Sequence, residues 1–301
     1  MHDHAHHHDH DHPHAGGNSL LWGVVLTLCF ALFEALGGWW AQSLALLGDA
    51  GHMVSDATAL GLAALAAHIA KRPPSARHSY GLGRAEVVAA LINSVFMVTV
   101  IAFIVGAAIT RLRQPVAVAG GAVMIIALVG LFINLLVAWV LSRGERTVNS
   151  RAALLHVLGD TLASVAALIS GIVIYYTGWL PIDPLLSLFI CALILYSAAR
   201  LLREVLHIIM EGVPSYLDLR EVGRAMAGVE GVSSVHDLHI WTLSSGRVVL
   251  SAHVNIPSME NWDSTLARLQ LMIDDRFGID HITLQPQSQA GTVVRVPAPP
   301  E

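Results

Sequence analysis

Two tetrads, His52-x-x-x-Asp56 and His156-x-x-x-Asp160, each place an imidazole and a carboxylate one helical turn apart in an apolar segment. Residues four apart on a helix share a face, so each pair can grip one ion. Two neutral imidazoles and two carboxylates supply four nitrogen and oxygen ligands and a charge of about −2, which suits a tetrahedral Zn2+. Emptied inside an apolar bundle, such a site would leave uncompensated carboxylates, so protons should bind as the ion leaves. Competition between metal and protons at one place is the chemistry of proton antiport. Asp49, His52 and Asp56 stand at i, i+3 and i+7, so Asp49 shares the face and is a further candidate ligand. Glu34 and Asp49 read either as structural partners between helices or as parts of an access path. Asn93, Asn134 and Thr99 read as interhelical hydrogen bonds. The same donors admit two other function classes. An intramembrane zinc hydrolase would need an open coordination position and a base, whereas the paired tetrads read as closed, which argues against an enzyme. A metal sensor would need only a soluble domain.

The elements that position these residues must lie in a membrane. Of 301 residues, 54% are hydrophobic and 13% charged, against about 25% charged in soluble domains. A net charge of −5 leaves no basic field for nucleic acid. Cys29 and Cys191 fall inside apolar segments and read as packing residues. Six apolar stretches, about 20–40, 44–70, 86–110, 119–142, 153–177 and 184–206, approach the roughly 20 residues that span a bilayer. Lys71, Arg72, Arg77, Arg84, Arg143, Arg146, Arg151, Arg200 and Arg203 fall on one side and only Arg111 and Arg113 on the other. The positive-inside rule then puts both termini in the cytoplasm.

The second and fifth segments run in opposite directions, so the tetrads are related as inverted three-helix repeats about an axis in the membrane plane. HMVSDATALGLAA and HVLGDTLASVAAL share the His, the Asp and two alanines. Ahead of them, residues 1–18 form a His-rich cytoplasmic tail, expected to be disordered, whose imidazoles, interleaved with Asp, would collect divalent metal. The membrane domain is expected over 19–211, a small cytoplasmic α+β domain of order α-β-β-α-β over 212–290, and a tail over 291–301. In the small domain His236 and His253 would meet across two strands, and His281 would join them if the last strand lies alongside, giving a partial metal site.

SLALLGDAGHMVSD, YGLGRAE with Asn93, LHVLGD, Asp183-Pro184, EGVP at Glu211–Pro214 and VHDLHIW at Val235–Trp241 occur in this order. With them the chain resembles the cation diffusion facilitators, in their bacterial zinc-exporting (zinc/cadmium/cobalt) branch, over about residues 19–287. The resemblance implies Zn2+/H+ antiport from the cytoplasm across the bacterial inner membrane, by a homodimer with a metallochaperone-like cytoplasmic domain. It also implies a transport site on His52, Asp56, His156 and Asp160, where histidine in both tetrads is similar to zinc carriers. Some members hold a further metal in the loop between the second and third helices; here His78 matches, with Ser75 and Leu82 in place of other ligands. His236, His253 and His281 fit ligand positions of the cytoplasmic domain, but Gln285-Pro286-Gln287-Ser288 lacks the acid often found there.

Overall fold

A computed structural model describes residues 16–143, 148–244 and 246–288, with side chains over 28–140, 142–143, 154, 157–244 and 246–288. The His-rich stretch before Gly16 and the tail after Ser288 lie outside the described residues. Six long helices come first: α1 (Gly16–Ala41), α2 (Leu44–Ala70), α3 (Ala85–Arg113), α4 (Gly120–Arg143), α5 (Val148–Thr177) and α6 (Ile182–Ile209). They coincide with the six apolar stretches to within a few residues. Among the described residues, α2 to α6 each contain a span long and apolar enough to cross a membrane, and Leu28–Ala41 of α1 is a shorter apolar helix. Their outer faces carry exposed Leu32, Leu36, Phe103 and Phe132, as lipid contact requires. Trp39 and Trp40, 73% and 75% exposed at the end of α1, suit the interfacial belt.

The chain forms two compact units, one of residues up to Gly61 with Asn93–Ala199, the other of Leu62–Ile92 with Arg200 onward. In the first, small residues let helices approach closely. Ala41, Ala45, Ala127, Ala163, Ala166 and Ala167 pack with Leu46, Val123, Ile126 and Ile190. The backbones of α4 and α5 approach closely: a Cβ on Gly171 would stand 2.6 Å from the Met124 nitrogen, and one on Gly120 2.8 Å from the Tyr175 nitrogen. Cys191 packs with Met97, Ile101, Ile104 and Ala198, the packing role its apolar segment implies.

The start of α2, which sets the height of His52, is held by one carboxylate. Asp183, fully buried, accepts from Ser43 Oγ at 2.6 Å, from the Leu44 amide at 2.7 Å and from Ser170 Oγ at 3.2 Å. Ser43 Oγ in turn accepts from the Leu46 amide at 3.3 Å. Between α1 and α2 the chain turns through Gln42, whose φ of 56° lies in the left-handed region. The Arg111 guanidinium donates to the Gln42 carbonyl and lies 4.0 Å from Asp183. One acid thus ties the starts of α2 and α6 to α5, with the cation of α3 beside it.

The second unit contains the small domain: α7 (Leu219–Ala227), β1 (Ser234–Ser244), β2 (Arg247–Ile256), α8 (Trp262–Phe277) and β3 (His281–Ser288). This is the α-β-β-α-β order expected from the residues. The sheet runs β1-β2-β3, with β1 and β2 antiparallel and β2 and β3 parallel. A parallel pair needs a crossover, and α8 supplies it. Asp218 caps α7, accepting from the Arg220 and Glu221 amides, and Gly278 ends α8 with φ 65°, the left-handed conformation a C′ glycine takes without strain. Val222 and Met226 of α7 and Leu269 and Ile273 of α8 bury against Ile240, Leu250, Val254 and Ile256.

Candidate metal centre

The period of an α-helix brings His52 and Asp56 of α2 to one face, and His52 Nε2 lies 3.5 Å from Asp56 Oδ2. From α5, Asp160 Oδ1 comes within 3.4 Å of the same His52 nitrogen. His52, Asp56 and Asp160 each offer one ligand atom, and these atoms all lie within 4.8 Å of one another. Among the described residues they are the one group of three such side chains that meets in this way. All three are half-buried. His156 stands one turn before Asp160 on α5, on the same helix face, and its side chain lies outside the described residues.

Polar side chains hold this arrangement from behind. Ser164, one turn beyond Asp160 on α5, donates to Asp49 Oδ2 at 3.3 Å and accepts from Asn134 Nδ2 of α4 at 3.1 Å. Ser55, the residue before Asp56, donates to Asn93 Oδ1 of α3 at 3.3 Å. Asn134 and Asn93 therefore make the interhelical bonds expected of them. Thr99 does not: its hydroxyl donates to the Val95 carbonyl of its own helix, the local bond open to a threonine that faces away from neighbouring helices. Asp49, 2% exposed, and Glu34, 0% exposed, lie deeper in the bundle. Ser164, Ser55, Ser43 and Ser170 escaped the sequence reading. Ser164 and Ser55 had a signal, since they stand four residues after and one before a tetrad carboxylate; Ser43 had one as an N-cap before an apolar run.

In the small domain, His236 and His253 are directly opposed across β1 and β2, their rings 5.3 Å apart edge to face. His281 does not join them. Because β3 runs parallel to β2, the residue level with His253 is Gln285, while His281 pairs with Val249, about 13 Å back along the strand at 3.3 Å per residue. The His281 ring meets Tyr80 instead, at 5.6 Å. The groups beside His253 are Gln287, whose Nε2 lies 3.0 Å from His253 Nδ1, and Asp237, whose Oδ2 lies 4.0 Å from its Nε2. A bulge between His236 and His239 puts Asp237 there, with φ 52°, and turns His239 toward the same acid at 3.0 Å. His78 is exposed in a turn closed by reciprocal backbone bonds with Ser75.

Among the described residues, six apolar helices with two half-buried carboxylates and an imidazole that meet within the bundle, followed by a small α+β domain, have the architecture of a cation-transporting membrane protein. Residues 20–210 match the family model of the cation efflux transmembrane domain, and residues 214–288 match that of the cytoplasmic domain of cation efflux proteins. The chain belongs to this family, the cation diffusion facilitators. It is 40% identical over 291 residues to the zinc transporter ZitB of Escherichia coli, covering 96% of this chain and 93% of that one. It is 37% identical to the metal cation efflux system protein CzcD of Cupriavidus metallidurans, over 90% and 87% of the two chains. To the cadmium, cobalt and zinc/H(+)-K(+) antiporter of Bacillus subtilis it is 35% identical, over 90% and 89%. A solved metal-bound C-terminal domain of CzcD is 39% identical, covering 24% of this chain and 99% of that one, with a TM-score of 0.23.

Proposed function

We propose that this protein is a secondary transporter that exports Zn2+, with Cd2+ and Co2+ as further substrates, from the cytoplasm in exchange for protons. The observation that carries the reading is the meeting of His52, Asp56 and Asp160 from two helices at one point within an apolar bundle. His156 completes the set as the fourth ligand, by its place one turn before Asp160. The names of the relatives support the cargo: one is a zinc transporter, another an antiporter of cadmium, cobalt and zinc.

The mechanism follows from charge. Neutral imidazoles of His52 and His156 and the carboxylates of Asp56 and Asp160 balance a divalent ion, so the loaded site is near neutral and stable within the membrane. When the ion leaves, the carboxylates draw protons to restore that balance, and reloading releases them. Opposed helix directions in α2 and α5 let the two halves rock about the site, exposing it to one side at a time. In this reading the protein is a homodimer in the bacterial inner membrane with both termini cytoplasmic. The opposed His236 and His253, with Asp237 and not His281 beside them, form a cytoplasmic place for metal.

Zinc uptake into inverted membrane vesicles tests the assignment. Wild-type protein should accumulate Zn2+ when the lumen is acidified, and Asp160→Ala should not. Undiminished uptake by that variant would reject the site.

A further inference from the structure

The deepest acids of the bundle have no role in the four-ligand site. Glu34 of α1 is 0% exposed and Asp49 of α2 is 2% exposed. Among the described residues no N–H or hydroxyl group donates to either Glu34 carboxyl oxygen or to Asp49 Oδ1. Asp49 Oδ2 accepts from the Ser164 hydroxyl. The two acids lie within hydrogen-bonding reach of each other, with Asp160 nearby. Asp49 in turn feels Asp160 and His52. Along α2 the rise from Asp49 to His52 is about 4.5 Å. The pair therefore adjoins the candidate metal centre, one turn nearer the start of α2.

Three carboxyl oxygens with no donor are costly in an apolar interior, and ionisable groups in such places mark ion paths. The donors here are oxygens alone. Without imidazole they hold a transition-metal ion less tightly than the histidine-bearing site. An ion gripped by four ligands leaves fast only if a weaker position lies beside it, because conduction needs binding strong enough to admit the ion and divided enough to release it. We propose that Glu34 and Asp49 form a second, weaker position for the transported divalent cation, with the Ser164 hydroxyl orienting Asp49. The ion passes between this pair and the His52 site during each cycle. This rests on reading His52, Asp56 and Asp160 as the transport site.

The test uses the full-length protein in proteoliposomes with Zn2+ as probe, and compares Glu34→Gln, Glu34→Asp and Asp160→Ala. The primary site is read as the increment of equilibrium Zn2+ binding that Asp160→Ala removes. Glu34→Gln should keep that increment, with affinity within about twofold of wild type, while transport at saturating Zn2+ slows by about tenfold or more. Glu34→Asp should recover part of the rate. Wild-type transport by Glu34→Gln would overturn the proposal. So would loss of the binding increment in both Glu34 variants, which would put Glu34 in the first site or in the scaffold. A rate defect that disappears when the pH gradient is removed would also overturn it, by making Glu34 a carrier of protons and not of metal. If Asp160→Ala itself transports at the wild-type rate, the underlying site assignment fails instead.

Discussion

His52 is the residue on which the candidate centre turns, because its Nε2 lies 3.5 Å from Asp56 of its own helix and 3.4 Å from Asp160 of α5. A cation drawn into that space replaces repulsion among carboxylates with attraction to all of them. Removing one ligand should therefore cost more than the 10- to 100-fold typical of an outer-shell partner. We expect Asp160→Ala to lower Zn2+ transport by at least about 100-fold on that scale. Protons compete for the same atoms, so apparent Zn2+ affinity should fall as pH falls on the loading side and recover as it rises. Binding isotherms across a pH series check the sign; affinity independent of pH would argue against shared ligands. In the cytoplasmic domain, His253→Ala should abolish the thermal stabilisation given by Zn2+, while His281→Ala should leave it, because β3 carries His281 away from the opposed pair. Differential scanning of the two variants with and without metal decides this.

At the scale of elements, α2 and α5 must hold their ligands at matched heights, and two features do so. Asp183 gathers Ser43, the Leu44 amide and Ser170 around the start of α2. Asp183→Ala would leave these donors buried and unpaired. It should cost about 3–9 kcal/mol, three unsatisfied donors at roughly one to three each. Thermal unfolding in detergent measures this, and Asp183→Asn, which keeps an acceptor, should lose less. The second feature is the contact of α4 with α5 at Gly171, where a Cβ would meet the Met124 backbone at 2.6 Å. Because backbone cannot yield as a flexible side chain does, Gly171→Val should destabilise by about 1–3 kcal/mol. The helices and the order of strands were legible in the sequence, since each follows the period of its element, and the spacing of the tetrads pointed to His52, Asp56 and Asp160, which meet. The partners of the supporting serines were not: spacing from a tetrad or a cap position marks Ser164, Ser55 and Ser43, but a serine in an apolar run gives no sign of which helix its hydroxyl will reach. His281 misled for a related reason. Proximity in a sheet depends on register, and antiparallel pairing of β1 with β2 is readable from a short turn, whereas the parallel register of β3 is set by the whole crossover through α8.

The molecule as a whole combines an apolar bundle whose buried polar groups gather at the candidate metal centre, the Glu34–Asp49 pair and the Asp183 cluster with a small sheet domain that has its own core. Val222, Leu250, Leu269 and Ile273 of that domain are fully buried, so it gains its stability from ordinary hydrophobic packing. The bundle has small residues and buried hydrogen bonds instead, as helices in lipid require. Its inner carboxylates, Glu34, Asp49, Asp56 and Asp160, outnumber the described cationic groups around them, which makes cation uptake the natural response of this interior. In the proposed cycle a divalent metal ion and protons exchange at His52, Asp56, His156 and Asp160. Proton flux driven by a Zn2+ gradient in proteoliposomes, with a pH-sensitive dye on one side, measures it most directly. Protons should move opposite to Zn2+ in the wild type and not above leak in Asp160→Ala; Zn2+ movement without protons, or equal exchange in the variant, would contradict exchange at this site.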